Sequence, residues 1–336
     1  MKNKYLQKLK EAANFLIKEE VDYIEIKRVT DSLKLIFEEV SEINFEDPSI
    51  DKDLFLKTGK AIAPKWAGMC IQDMMRTKMF VKGVFKAIKI IQNNKKDKPV
   101  TLLYAGTGPY ATLIMPLTTL FKPSELQLVL LEVNPISLQS LKKTIKNLNT
   151  TDYIKGIYEC DATSFSITEP EEIDILLIEC LQNALVREPQ VAITHNLLTQ
   201  LNENIILIPE EISLHLSLLN LGKKSNSVTE ISEIEKLDYI KIIDTVFVLN
   251  KKQVLKNSSL LFQKIETQIK EEMLVGYNQL AITTEITTFK NEKLTINDSG
   301  LTIPFTITYL DNKKIKSVNT QYKVNEQPGL DISIIN

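Results

Sequence analysis

Two acids lie close together in one polar segment, Ile178-Glu179-Cys180-Leu181-Gln182-Asn183-Ala184-Leu185-Val186-Arg187-Glu188. Glu179 follows directly on the apolar run Ile173 to Ile178, which predicts a buried strand. Its carboxylate then stands at a strand's carboxyl end, where ligands bind in parallel sheets. A loop of this length can turn back and bring Glu188 into the same pocket. Paired carboxylates there suit a cationic planar group, which bidentate hydrogen bonds hold and charge orients. Crowding also raises the pKa of one acid, which can then receive a released proton. The competing reading makes Glu188 a helix N-terminal acid beside Pro189, stabilising the turn that follows.

A second constellation surrounds Tyr104-Ala105-Gly106-Thr107-Gly108-Pro109-Tyr110-Ala111, which holds two of the chain's ten glycines. It follows the apolar run Val100 to Tyr104 and is expected to open a helix over Ala111 to Phe121. Glycine lets a backbone turn tightly and approach a ligand without a Cβ clash. A helix start there would offer unpaired N–H groups to a polar ligand. Alone, this pattern also fits a plain tight turn or a dinucleotide site.

Its neighbours narrow the choice. Glu132, next to Val133 at the end of the run Leu126 to Leu131, can accept hydrogen bonds from both hydroxyls of a ribose. Asp161, beside Ala162 at the following strand-to-loop junction, can meet an adenine amino group. S-adenosylmethionine and NAD both use this geometry. The third-strand Asp161 and a β-rich C-terminal half favour the methyl donor, whose amino-acid end also needs a cation.

Buried apolar runs at 100–104, 126–131, 173–178 and 205–208 alternate with helical patterns at 135–148 and 189–201. That alternation predicts a parallel sheet covered by helices, a Rossmann-like α/β fold. Helical spacing recurs over Lys4 to about Glu39 and over Trp66 to Gln92, with Trp66 and Phe80 expected in the core. Asn44 to Asp53 reads as a loop. After Glu210 the period becomes two, with alternating segments near 212–216, 245–249, 280–289, 294–296, 301–309 and 315–322, which predicts an antiparallel C-terminal region. The expected organisation is a helical segment over 1–97, a nucleotide-binding domain over 98–210 and a β-rich domain over 211–336.

The 336 residues exceed one small core. Net charge is −2, with 41 basic against 43 acidic residues, so bulk electrostatic binding to nucleic acid is not expected. Three scattered cysteines, Cys70, Cys160 and Cys180, and two histidines offer neither a disulfide framework nor a metal site. No signal peptide and no spanning apolar stretch is visible, so a cytoplasmic protein without membrane contact is expected.

These motifs resemble the protein arginine methyltransferases over roughly Met69 to Leu218. Glu179 and Glu188 match the spacing of that family's paired-glutamate loop, although Ile178 stands where the family has serine. Ala105-Gly106-Thr107-Gly108-Pro109 and Glu132-Val133-Asn134-Pro135 are similar to its symmetric-dimethylating branch. Ile205-Ile206-Leu207-Ile208-Pro209-Glu210-Glu211-Ile212 is similar to the crossing into its β-barrel. Asp73-Met74-Met75-Arg76-Thr77 is similar to its N-terminal helix.

The resemblance implies a class I methyltransferase with a C-terminal β-barrel-like domain. The cofactor would be S-adenosyl-L-methionine and the product S-adenosyl-L-homocysteine. Arg76 would meet the donor's carboxylate. Tyr104, Ala105, Gly106, Thr107, Gly108, Glu132, Val133, Asp161, Ala162 and Glu179 would line the donor site. Glu179 and Glu188 would clamp a cationic nitrogen on a peptide, protein or small molecule. The other readings are a different nucleophile for the same donor, and a catalytically silent binding partner. The aromatic or His-Trp element of the family's barrel has no counterpart near Ser299 to Pro304. A homodimer through a helical arm is implied, with Gly222 to Lys241 the candidate arm.

Overall fold

The computed structural model describes residues 2–95, 98–220, 239–257, 259–311 and 314–336. The candidate arm, Gly222 to Lys241, falls almost wholly outside them.

Continuous apolar runs cannot leave either face in water, and they form the centre of the molecule. Strands β3 (Val100–Ala105), β4 (Leu126–Glu132), β5 (Ile154–Glu159), β6 (Ile175–Ile178) and β7 (Ile206–Ile208) make an all-parallel sheet in the order β5-β4-β3-β6-β7. Every residue of β3 and β6 is buried. Burying each Leu or Ile contributes about 1.5–3 kcal/mol. The order reverses beside β3, so the carboxyl ends of β3, β4 and β6 open onto one crevice.

Helices α1 (Lys2–Leu16), α2 (Tyr23–Ser41) and α4 (Met74–Asn94) pack together on the N-terminal side. Lys78, fully buried in α4, donates from Nζ to the carbonyls of Leu16 (3.2 Å) and Lys18 (2.8 Å), capping the end of α1. Helix α4 also touches β3, β6 and β7 on one side and the C-terminal strands on the other. It is preceded by the short α3 (Pro64–Met69). Helix α5 (Pro135–Asn147) starts as its sequence dictates: the Asn134 side chain accepts from the Ile136 and Ser137 amides, and proline fills the first turn. Helix α6 (Gln190–Leu198) follows the acidic loop.

The C-terminal half is antiparallel. One sheet runs β12-β11-β8-β9, with β13 also on β11: β8 (Glu211–Leu219), β9 (Ile240–Asn250), β11 (Gln279–Phe289), β12 (Glu292–Leu294), β13 (Phe305–Tyr309). The other runs β10-β14-β15: β10 (Ile265–Gln268), β14 (Ser317–Lys323), β15 (Gly329–Ile335). Among the described residues these sheets do not close into a barrel, which corrects the barrel expectation.

One further expectation fails. The helix after the glycine loop is absent: Ala111 is left-handed (φ 46°), and only turns and a 3-10 stretch at Met115–Thr119 follow. Pro116 and the β-branched Thr112, Ile114, Thr118 and Thr119 all disfavour an α-helix there. The loop over 44–53 contains a 3-10 turn (Pro48–Asp51) and leads into an unforeseen hairpin, β1 (Leu54–Leu56) and β2 (Gly59–Ala61).

Candidate functional site

A cleft of about 1090 Å³ lies over the carboxyl ends of β3, β4 and β6. It reaches from Gly106, Glu132 and Asp161 at one end to Glu188 and Phe55 at the other, and Trp66 also lines it, next to Ala67, which packs on Gly108.

At the first end, Gly106 (φ 78°) and Gly108 (φ 60°) take conformations that side chains resist. A Cβ on Gly106 would stand 2.0 Å from Cys180 Sγ, so the glycine lets the acidic loop cross directly over β3. Glu132 is buried at the end of β4. Its Oε2 accepts from the Gly108 amide (2.7 Å) and the Thr107 hydroxyl (3.3 Å), and its Oε1 from the Asn134 amide (2.8 Å). Burial raises its pKa, and these N–H donors oppose the rise. Oε1 retains capacity for a further donor, while Oε2 already accepts two. With the expected helix missing, ordering of the glycine loop falls to Glu132 rather than to a helix start. Asp161 Oδ1 accepts from the Thr163 amide (2.9 Å) and hydroxyl (2.7 Å), fixing its side chain at the cleft. Val133 and Ala162 line the same end, while Ala105 lies buried behind it.

Arg76 joins the two ends. It sits in the first turn of α4, where Asp73 caps the helix by accepting from the Arg76 amide (3.2 Å). The guanidinium grips Glu179 with two bonds, Nε to Oε1 at 2.6 Å and Nη2 to Oε2, and its Nη1 donates to the Cys70 carbonyl at 3.0 Å. Both side chains are buried. Burial alone would lower the Arg76 pKa, but the Glu179 charge outweighs it and keeps the guanidinium cationic. Three of the five N–H groups of an arginine are thereby used, and two remain for another acceptor. Tyr104 stands nearby, buried at the end of β3 and lining the cleft, its phenol held protonated by burial and then by Glu179.

At the far end the acidic loop turns back as its length allows. Glu188 is buried facing Glu179 rather than exposed as a helix-terminal acid. Burial, and then the Glu179 charge, push its carboxyl up to about 8. Burial disfavours the thiolate at all three cysteines: it pushes Cys70 up to about 12 and Cys160 to about 11, and raises Cys180 well beyond its usual range.

The hairpin β1–β2 closes this end. Its Lys60 amide donates to the Arg187 carbonyl (2.8 Å), and a Cβ on Gly59 would lie 2.7 Å from that oxygen. Two aromatic side chains on the cleft wall went unrecognised in the sequence. Phe55 is 76% exposed, and Trp66, expected in the core, is 49% exposed. Lys65 Nζ already lies 5.5 Å from the Trp66 ring centroid, a cation on an aromatic face. The sequence signal for the hairpin was Lys57-Thr58-Gly59 between Leu54-Phe55-Leu56 and Lys60-Ala61. Phe80 is fully buried, as expected. Ser299 and Gly300 dock on Asp73, whose Oδ2 accepts from the Ser299 hydroxyl (2.6 Å) and the Gly300 amide (2.8 Å).

Among the described residues no group of three or more His, Cys, Asp or Glu could hold a metal ion, and no helix is long and apolar enough to cross a membrane.

No protein-family model and no curated protein matches the chain. Solved structures do. The chain is similar to protein arginine methyltransferase 10 of Arabidopsis thaliana in a uniquely open conformation: 13% identity, 79% of this chain and 91% of that one, TM-score 0.51. It is similar to PRMT6 at 11% identity, covering 79% and 97%, TM-score 0.50. It is similar to the Trypanosoma brucei PRMT1 enzyme-prozyme heterotetrameric complex with AdoHcy at 10% identity, covering 79% and 91%, TM-score 0.50. At these identities the likeness establishes an arginine-methyltransferase-like fold and no assignment to a branch within it.

Proposed function

We propose that this chain is an S-adenosylmethionine-dependent methyltransferase acting on a cationic, arginine-like nitrogen of a peptide or protein. One observation carries the reading. A single cleft joins the glycine loop and Glu132 to two buried carboxylates, with Arg76 between them. One of the structures of this fold is a complex with AdoHcy, the demethylated donor.

The residues fit the donor. Gly106, Thr107 and Gly108 bring backbone close without a Cβ, and Tyr104 and Ala105 carry the loop on the end of β3. Glu132, next to Val133, accepts a ribose hydroxyl, and Asp161 with Ala162 meets the adenine. The two free N–H groups of Arg76 take the amino-acid carboxylate. When bound, S-adenosylmethionine supplies an electrophilic methyl on a sulfonium. Transfer needs an acceptor nitrogen aligned with that methyl more than it needs a strong base.

Glu179, held by the Arg76 guanidinium, fixes one side of the acceptor. Glu188 supplies the second oxygen pair, and in its anionic form it takes up the proton lost by the acceptor. Phe55 offers an aromatic face for the cation. The three-part organisation, with the donor residues in 98–210 joined by Arg76 of the N-terminal part and the acceptor wall shared among all three parts, belongs to the same proposal. So does placement in the symmetric-dimethylating branch, which the glycine-loop and Glu132 motifs favour. A second reading draws on Glu188 alone. Near neutral pH it holds its proton and can donate to a neutral nitrogen or hydroxyl on a peptide or small molecule.

The test is calorimetry with S-adenosylhomocysteine, followed by mass spectrometry of arginine-containing peptides incubated with the donor. Binding in a one-to-one ratio and a mass gain of one methyl are expected. Binding without methylation of any offered acceptor would leave a catalytically silent partner. Absence of binding would end the methyltransferase reading.

A further inference from the structure

The acidic loop contains three left-handed non-glycine residues, Ala184 (φ 56°), Leu185 (φ 53°) and Arg187 (φ 68°). Side chains disfavour this conformation, and it persists only where the surroundings enforce it. The enforcing contacts come from the C-terminal sheets. The Ala184 amide donates to Thr284 Oγ1 on β11 (2.9 Å). The Leu185 carbonyl accepts from the Tyr322 hydroxyl on β14 (2.7 Å). The Arg187 amide donates to the Pro328 carbonyl before β15 (2.8 Å), and the Asn183 side chain donates to the Ile303 carbonyl (2.9 Å).

Tyr322 is itself rigidly seated. Its ring stacks on Phe247 at 4.4 Å and meets Phe262 edge-on at 5.7 Å. It is 2% exposed, and burial raises its phenol far above the ordinary range, so it remains a donor. Thr284 is fully buried. Neither residue lines the cleft, so neither can touch what binds there.

We propose that Tyr322 and Thr284 are positioning residues, whose hydroxyls couple the C-terminal sheets to the acidic loop and hold it in the turn that brings Glu188 back to face Glu179. The inference rests on reading that loop as the acceptor clamp. It assigns the C-terminal region a part in the site that requires no contact with the acceptor. A ring-preserving Tyr322→Phe keeps the aromatic stack and removes only the donor, leaving the Leu185 carbonyl buried and unpaired. Thr284→Val does the same for the Ala184 amide.

The experiment follows Glu188 by carbon-13 NMR in glutamate-labelled protein, assigned with Glu188→Gln, together with amide hydrogen exchange. The groups that face Glu188 are Glu179, Gln182, which hydrogen-bonds it, Arg76, Lys60, Cys70 and Cys180. None is altered in either variant. In the wild type burial and the Glu179 charge are expected to hold the Glu188 midpoint up at about 8. In each variant its midpoint falls by about one unit or more toward the ordinary glutamate range as the loop relaxes toward water. The amides of Ala184 and Arg187 exchange about tenfold faster or more, while those of β3 and β4 do not change. S-adenosylhomocysteine affinity stays within about twofold, because its end of the cleft is untouched. An unshifted Glu188 with unchanged loop exchange in both variants would overturn the proposal, and so would loosening spread over the whole parallel sheet. Failure of the wild type to bind S-adenosylhomocysteine would remove the methyltransferase reading, and the titration would still decide the clamp.

Discussion

The two ends of the cleft are built in opposite ways. The end at Gly106, Glu132 and Asp161 comes from three consecutive strand ends of one parallel sheet, and backbone amides order it. The end at Glu188 is assembled from the hairpin at 54–61, the start of α4, the acidic loop and C-terminal strands a hundred or more positions away. The first is fixed by local chain geometry, the second by long-range packing. A change at the first end should therefore abolish donor binding outright. A change at the second should tune the acceptor and leave the donor alone. Arg76 is the exception, because it serves both.

The largest effect belongs to Gly106→Ala. It sets a Cβ against Cys180 Sγ and strains a φ of 78°. S-adenosylhomocysteine affinity should fall by about a hundredfold or more, measured by calorimetry. Retained affinity would break the distinction between the ends.

Next is Arg76→Met, which strands a buried Glu179 without its cation. A loss of about 3–5 kcal/mol in unfolding free energy is expected, read from denaturant melts. Donor affinity should fall in the same variant, the one place where the ends fail together.

The pH profile sharpens the acceptor end. Glu188 is neutral below about 8 and an anion above it. With a cationic acceptor, kcat/KM should therefore rise about tenfold per pH unit and level off above that value. With a neutral acceptor that takes a hydrogen bond from protonated Glu188, it should instead fall through the same window. The sign of the slope separates the two acceptor classes.

The smallest effect is Phe55→Ala. Removing an exposed aromatic face should weaken a cationic acceptor by about two- to fivefold, seen as a raised KM, with donor affinity unchanged.

The same contrast explains what was legible in the sequence. Strands β3, β4, β6 and β7 announced themselves as continuous apolar runs, and α5 by Asn134-Pro135. Glu132 and Asp161 were readable because strand ends place them without reference to anything distant. The helix expected after Ala111 was wrong because period-3.6 spacing was weighed above Pro116 and the threonines around it. Trp66 reads as core because an aromatic on a helix usually lies there, but α3 turns its Ala67–Gly68 face onto Gly108 and Tyr110 and leaves Trp66 half exposed. Tyr322 and Thr284 carried no local signal, since their partners at Leu185 and Ala184 are set by how the C-terminal sheets pack.

The most direct test is calorimetric titration of S-adenosylhomocysteine into the wild type and into Glu188→Gln. One cleft with separable ends predicts the same one-to-one affinity for both proteins. No binding by the wild type would contradict the donor site, and a large loss confined to Glu188→Gln would contradict the separation of the ends.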